Sequence, residues 1–252
     1  MTTGQAARLL MADIDGYRVQ WKDDGTDYPK LLEDFKAGRL ETTRFFTNSG
    51  HRQVYRAEVG GRRLVMKIDR ETDSRFEKRL WDRIGGTPYS RLIKFTSRAI
   101  ARGCPIVQDV FLVAEKMDGP SCLEAWLIAE YVEGRSFLAE EYVEGRTVEQ
   151  MERDYRPWLP AMGDVLADLH DWGLASNDVQ PGNFILTDKG LKVIDLSLDS
   201  PILICQANDM LKMRGWYHVK APIRGPLRKT VYGLLYARYA LQQFLRRLRG
   251  RK

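Results

Sequence analysis

Lys67 stands in the apolar run Leu64-Val65-Met66-Lys67-Ile68, and an ammonium among such neighbours is costly unless it reaches an anion. Asp178 and Asn183 lie five residues apart in a Pro-Gly loop, Asn177-Asp178-Val179-Gln180-Pro181-Gly182-Asn183, which can place a base and a metal ligand on one surface. Asp195 ends the run Lys192-Val193-Ile194-Asp195, so its carboxylate emerges from a hydrophobic support and can reach a metal. Glu77, in the charged stretch after Lys67, can supply the fixed anion that orients the ammonium. A cation for phosphate, oxygen ligands for magnesium and a carboxylate facing an acceptor hydroxyl are the parts that phosphoryl transfer from ATP requires. Each residue alone has a plainer reading: a lysine snorkelling from an edge strand, a glutamate on a solvated helix face, turn-forming Asp and Asn, a capping Asp. The inference rests on their joint order.

The elements that must position these groups are legible as patterns. Strands are expected over 41–46, 53–59 and 62–68, with Gly60-Gly61 as the two-residue turn of a hairpin. Phe76, Leu80, Trp81 and Ile84 recur at helical spacing and predict an amphipathic helix over 73–84. Strands over 110–116 and 123–131 flank a Gly119-Pro120 turn. A helix is expected within 148–172, with Pro157 and Pro160 interrupting its early part. An irregular loop over 175–183 then leads into short strands at 184–187 and 191–194, and the remainder reads as helical. One duplication is visible: Ala-Glu-Tyr-Val-Glu-Gly-Arg-Ser-Phe at 129–137 recurs as Glu-Glu-Tyr-Val-Glu-Gly-Arg-Thr-Val at 140–148, too short a period for a solenoid.

A chain of 252 residues with 44% apolar composition can fill a substantial core. Cys104, Cys122 and Cys205 match no disulfide or metal-ligand spacing, and His51 and His218 have no partners that make a metal site. The first residues lack signal-peptide character and no segment approaches the apolar length of a membrane span, so a cytoplasmic protein, soluble or peripheral, is expected. The net charge of +6 is concentrated: after Asp209 there is no acidic residue and there are twelve basic ones. In the tail, Val231, Leu234, Leu241, Leu245 and Leu248 fall near one helical face, widened by Leu235 and Phe244, ahead of Arg246, Arg247, Arg249, Arg251 and Lys252. Such a helix either meets an anionic inner-membrane surface, attracted by about 1 kcal/mol per nearby cation, or packs on the preceding lobe. No helix-turn-helix, zinc or RNA-reading motif accompanies the charge, so no nucleic-acid partner is expected, and no obligate protein partner is inferred.

The stretch from Leu169 to Ser197, with the Asn177–Ile185 loop and the Ile194-Asp195-Leu196-Ser197 ending, resembles the catalytic core of protein-kinase-like folds. With Leu127–Gly134 it is most similar to the lipopolysaccharide core heptose kinases of Gram-negative bacteria, the RfaY or WaaY group. The resemblance implies an α+β, bilobal protein-kinase-like fold: an N-terminal extension over 1–37, a small antiparallel-sheet lobe over 38–133 and a larger, mainly helical lobe over 134–252. It implies ATP and Mg as co-substrate and cofactor, with a lipid-linked core oligosaccharide as acceptor. Residue by residue, it makes Lys67 the phosphate-binding lysine and Glu77 its partner. Ala129–Gly134, with Glu130, Tyr131 and Val132, becomes the adenine-binding hinge. Asp178 becomes the catalytic aspartate, Asn183 and Asp195 metal ligands, Asp209 a structural anchor of the catalytic loop and His170 a brace. There are departures: no glycine-rich phosphate loop exists, leaving Ser49 and Gly50 in a turn with one glycine. Gln180 stands where the heptose kinases tend to have histidine, and Asp195-Leu196-Ser197 replaces Asp-Phe-Gly. The competing readings are a kinase of a protein or another small hydroxylated molecule, or an inert kinase-like module that binds anions or membrane.

Overall fold

The computed structural model describes residues 8–48, 51–70, 86–119, 121–137, 147–198 and 201–248. Seven strands form one antiparallel sheet: β1 (Arg8–Ile14), β2 (Tyr17–Asp23), β3 (Thr42–Asn48), β4 (Arg52–Val59), β5 (Arg62–Asp69), β6 (Val110–Asp118) and β7 (Ser121–Glu130), in the order β1-β2-β6-β7-β5-β4-β3. The β4–β5 hairpin turns at Gly60 and Gly61, whose φ values of 58° and 74° are those a mirror-image two-residue turn demands.

Within the stretch over 1–37, expected as an extension ahead of the small lobe, residues 8–37 instead build part of it. β1 and β2 form a hairpin whose second strand pairs with β6, and α1 (Tyr28–Lys36) covers the sheet. The physical reason is burial. Val19, Tyr28 and Leu32 join Leu64, Met66, Ile68, Leu112, Trp126 and Ile128 in one core, with Tyr28 stacked on Phe111 at a centroid distance of 5.3 Å. Without β2 the edge of β6 would expose its backbone groups to other chains.

Side chains alternate between the two faces of this sheet. Met66, Ile68, Trp126 and Ile128 face α1, whereas Val113, Leu127 and Ala129 join the core of the second lobe. Lys67, in register with Val54 and Leu127, therefore points toward the second lobe. That face is covered by α2 (Pro88–Ala101), which the sequence reading did not single out, although Thr87 caps it, Pro88 opens it, and Leu92, Ile93 and Ala99 recur on its buried side. The helix expected over 73–84 lies outside the described residues.

In the second lobe the expected long helix is three pieces. α3 (Val148–Tyr155) starts on a reciprocal Thr147/Gln150 capping box, a 3-10 turn spans Arg156–Trp158, and α4 (Leu159–Asp171) carries Pro160 in its first turn. Each proline thus sits where its missing N–H costs least. β8 (Arg135–Ser136), β9 (Phe184–Thr187) and β10 (Gly190–Val193) form a second small sheet, followed by α5 (Ile202–Trp216) and α6 (Pro226–Leu248). The first copy of the duplication leads out of β7 into β8, with Phe137 fully buried behind it; most of the second copy lies outside the described residues. A parallel bridge between Val107 and Val193 ties the loop before β6 to β10 of the second sheet.

Candidate active site

Lys67 and Asp195 meet across the two lobes. The ammonium lies 2.9 Å from Asp195 Oδ1, with the lysine side chain 19% and the aspartate 57% exposed. The Lys67 charge holds the Asp195 carboxyl below the usual carboxylate range. With more than half of its side chain accessible, Asp195 stands at a cleft mouth, where solvent weakens the pair. Asp195 has a φ of 56°, a left-handed conformation that Asp and Asn adopt more readily than other side chains. Beside the pair lies a cavity of ≈ 10 Å³ lined by Leu92, Thr96, Gln108, Leu127 and Leu196. α2 supplies Leu92 and Thr96 to these surroundings and has no acidic residue; among the described residues the anion paired with Lys67 is Asp195. Glu77, the expected partner, lies outside the described residues, as do Ser49 and Gly50.

The loop bearing Asp178 is held from below. Asp209 of α5 is fully buried; its Oδ2 accepts from Ser176 N at 2.9 Å and meets His170 Nε2 at 2.9 Å, and its Oδ1 accepts from Asn177 N at 2.6 Å. Asn177, at φ 54°, takes the left-handed step that turns both amides toward this one carboxylate. Lys212 Nζ donates to Asn177 O, and Tyr217 Oη donates to Val179 O at 3.3 Å, so the backbone on both sides of Asp178 is tied to α5 and its end. Burial pushes the Tyr217 phenol up to about 12, which keeps it a neutral donor.

Asn183 is buried, and its amide nitrogen donates to Asp178 O at 2.8 Å and reaches Asp178 Oδ2 at 3.4 Å. That commitment makes the amide oxygen the atom Asn183 can offer a cation. Ile194 N donates to Asn183 O at 2.9 Å and Ser197 N to Ser176 O at 2.9 Å. These two bonds join the segment around Asp195 to the loop carrying Asp178 and Asn183. Among the described residues no group of three or more His, Cys, Asp or Glu could hold a metal ion. Asp195 and Asn183 form a set of hard oxygen donors, which suits magnesium shared with phosphate oxygens and water.

The segment over 129–134 connects the lobes, and much of its backbone is already engaged. Glu130 N donates to Asp109 O at 2.8 Å, Tyr131 N to Arg63 O at 3.2 Å, and Gln108 Nε2 donates to Glu130 O at 2.7 Å. The Glu130 carboxylate accepts from Lys192 Nζ at 2.7 and 2.8 Å and from Asp109 N at 3.1 Å, while Asp109 pairs with Lys22 of β2 at 2.5 Å. Gly134 follows with φ 148°, and a Cβ there would collide with the Leu186 carbonyl and Ile185 Cγ2. The structure thus brings together Lys67, Asp178, Asn183 and Asp195. Sequence reasoning missed Gln108, Lys212 and Tyr217; the only signal for the last two was that they follow Asp209 within a helix length.

A family model described as lipopolysaccharide core biosynthesis protein (WaaY) matches residues 9–251. The chain belongs to the WaaY family. Among its relatives is a lipopolysaccharide core heptose(II) kinase WaaY of Escherichia coli, 25% identical over 240 residues, covering 94% of this chain and 96% of the relative. Another, from Escherichia coli strain K12, is 23% identical over 229 residues, with 91% and 92% covered. A solved structure of WaaP in complex with acyl carrier protein aligns at a TM-score of 0.44 and 18% identity, covering 90% of this chain and 89% of that one. As a member of this family, with relatives named as kinases, the chain is a phosphotransferase, and its fold is α+β. No helix among the described residues is long and apolar enough to cross a membrane.

Proposed function

We propose that this WaaY-family kinase transfers the γ-phosphoryl group of ATP to a hydroxyl of a heptose in the lipopolysaccharide inner core. The observation that carries the reading is the convergence on one cleft of the Lys67–Asp195 pair with Asp178 and Asn183, held by the Ile194–Asn183 and Ser197–Ser176 backbone bonds. The acceptor class comes from the family and from relatives named as heptose(II) kinases.

In this reading Lys67 would exchange Asp195 for the phosphates of the nucleotide, and Asp195 with Asn183 Oδ1 would hold magnesium. The ion, when bound, neutralises charge that accumulates on the phosphoryl oxygens. Asp178 orients the acceptor hydroxyl and takes its proton as the new O–P bond forms and the bond to the β-phosphate oxygen breaks. Gln180 Nε2, 3.0 Å from Asp178 Oδ2, leaves the other carboxylate oxygen for the hydroxyl. Adenine meets the backbone at Val132, because the amides of Glu130 and Tyr131 and the Glu130 carbonyl already have partners. The family resemblance would give Ser49 and Gly50 to the phosphates and Glu77 to Lys67, and all three lie outside the described residues.

The C-terminal helix fits an acceptor anchored in a membrane. Arg224 and Arg228 fasten its start to Asp168 and Asp171, while Leu227, Leu234 and Leu241, seven residues apart, are 57–68% exposed. With the basic end of the chain beyond them, these leucines suit the anionic cytoplasmic face of the inner membrane.

The test uses purified protein, Mg-ATP and delipidated core oligosaccharide. Asp178→Asn is expected to lose turnover while binding nucleotide normally by calorimetry, and Asp195→Ala to lose magnesium-dependent nucleotide binding as well. Full turnover by Asp178→Asn overturns the role given to that carboxylate. A wild-type protein that hydrolyses ATP without phosphorylating the oligosaccharide overturns the acceptor.

A further inference from the structure

Trp216 is the last residue of α5, and 63% of its surface is exposed. A large aromatic face so open to water, beside a catalytic loop, is a candidate ligand contact. Two connections fix its place. Lys212 Nζ lies 5.5 Å from the indole centroid while donating to Asn177 O, so one ammonium spans the ring and the residue before Asp178. Tyr217, the next residue, donates to the carbonyl of Val179, the residue after Asp178. Lys212 thus links the indole to the backbone before Asp178, and the residue after the indole is tied to the backbone beyond Asp178. The same helix carries Asp209, which fixes that loop from within the core, so loop and ring ride on one rigid element.

A sugar ring presents an apolar face of C–H groups and a rim of hydroxyls. A flat, polarisable aromatic face at the edge of a polar site matches the first, and ammonium and backbone groups beside it match the second. Arg214 does not compete for this ring: its guanidinium sits 4.4 Å over Tyr236 and bonds Tyr232. We propose that the acceptor sugar stacks on Trp216, next to Asp178, with Lys212 as the residue that positions the indole. The proposal rests on the sugar-kinase reading above and adds to it the surface that selects a carbohydrate over other hydroxyl compounds.

The experiment measures initial rates of wild type, Trp216→Ala and Trp216→Phe with Mg-ATP while delipidated core oligosaccharide is varied. Truncating an aromatic anchor commonly costs about 2 kcal/mol, so the acceptor KM of Trp216→Ala should rise roughly 30-fold. Trp216→Phe, which keeps an aromatic face, should recover most of that. The KM for ATP and the acceptor-independent hydrolysis of ATP should not move, because the ring touches neither Lys67 nor Asp195. The melting temperature should stay within about 2 °C, as expected at an exposed position. An unchanged acceptor KM in Trp216→Ala overturns the proposal and leaves the kinase reading standing. Loss of co-sedimentation with anionic vesicles at unchanged KM overturns it too and makes Trp216 a membrane contact. No oligosaccharide turnover by the wild type overturns the heptose reading and this proposal with it.

Discussion

Asp209 offers the sharpest test of how the fold sets the catalytic loop. Its carboxylate receives Ser176 N, Asn177 N and His170 Nε2 at 2.6–2.9 Å, and it is fully buried. Hydrogen bonds to a charged group contribute about 1.5–3 kcal/mol each, and a buried donor left without a partner costs about 1–3 kcal/mol. The three bonds share one carboxylate, so their losses do not add in full. For Asp209→Ala a net destabilisation of about 3–5 kcal/mol follows. In a chain of this size, about 2–4 °C of melting temperature goes with each kcal/mol, which gives a fall of roughly 6–20 °C. Asp209→Asn keeps one acceptor oxygen but sets an amide N–H against a backbone N–H, so it should lie between wild type and alanine. Differential scanning calorimetry measures the melting, and rates taken below the transition should show kcat falling with little change in the KM for ATP. An alanine variant that melts within about 1 °C of wild type and turns over at full rate would refute the argument that this carboxylate organises the loop.

Three further perturbations test the Lys67–Asp195 pair and the C-terminal helix. Because Lys67 holds Asp195 below its unfolded value, the unfolded chain takes up this proton first as pH falls. The stabilisation is complete above the ordinary carboxylate range and is lost as pH drops through the depressed value, so Lys67→Met should flatten the acid limb of stability against pH; equal slopes in the two proteins would count against the pair. In the tail, Leu234→Ser with Leu241→Ser should change stability by only about 0.5 kcal/mol, since both are exposed, yet reduce binding to anionic vesicles. Glutamate at Arg246, Arg247, Arg249 and Arg251 should do the same most strongly at low salt, and wild-type binding by both variants would remove α6 as a membrane contact.

The tail also shows how a pattern in sequence can be right and incomplete. Val231 and Leu234 share a stripe on the helical wheel, but Val231, Tyr232, Leu235 and Tyr236 are partly buried while Leu234 and Leu241 stand in solvent. Arg214 and Arg228, reaching from α5 and from α6 itself, choose the packed face: Arg214 takes the stacked pair Tyr232–Tyr236, and Arg228 bonds Gln206, Asp171 and His170 O. Packing on the lobe and presenting a free apolar face are both properties of this one helix, on opposite sides.

What the sequence determined by itself is what neighbours along the chain decide. The Gly60-Gly61 hairpin, the prolines that divide 148–172, the loop from Asp178 to Asn183 and the aspartate ending a short apolar strand all follow from turn chemistry and side-chain period, which act over a few residues. The tertiary structure decided which charges meet. Lys67 sits on an apolar strand and needs an anion, but the sequence offers many, and only the apposition of the lobes brings Asp195 to it. Likewise, the amide of Gln108 reaches the Glu130 carbonyl because the Val107–Val193 bridge lays that loop against the second sheet. The first strands joined the small lobe because β6 had an open edge and α1 an apolar face to bury. Those pairings are long-range choices among many similar partners, settled by burial and register that no local stretch of sequence contains.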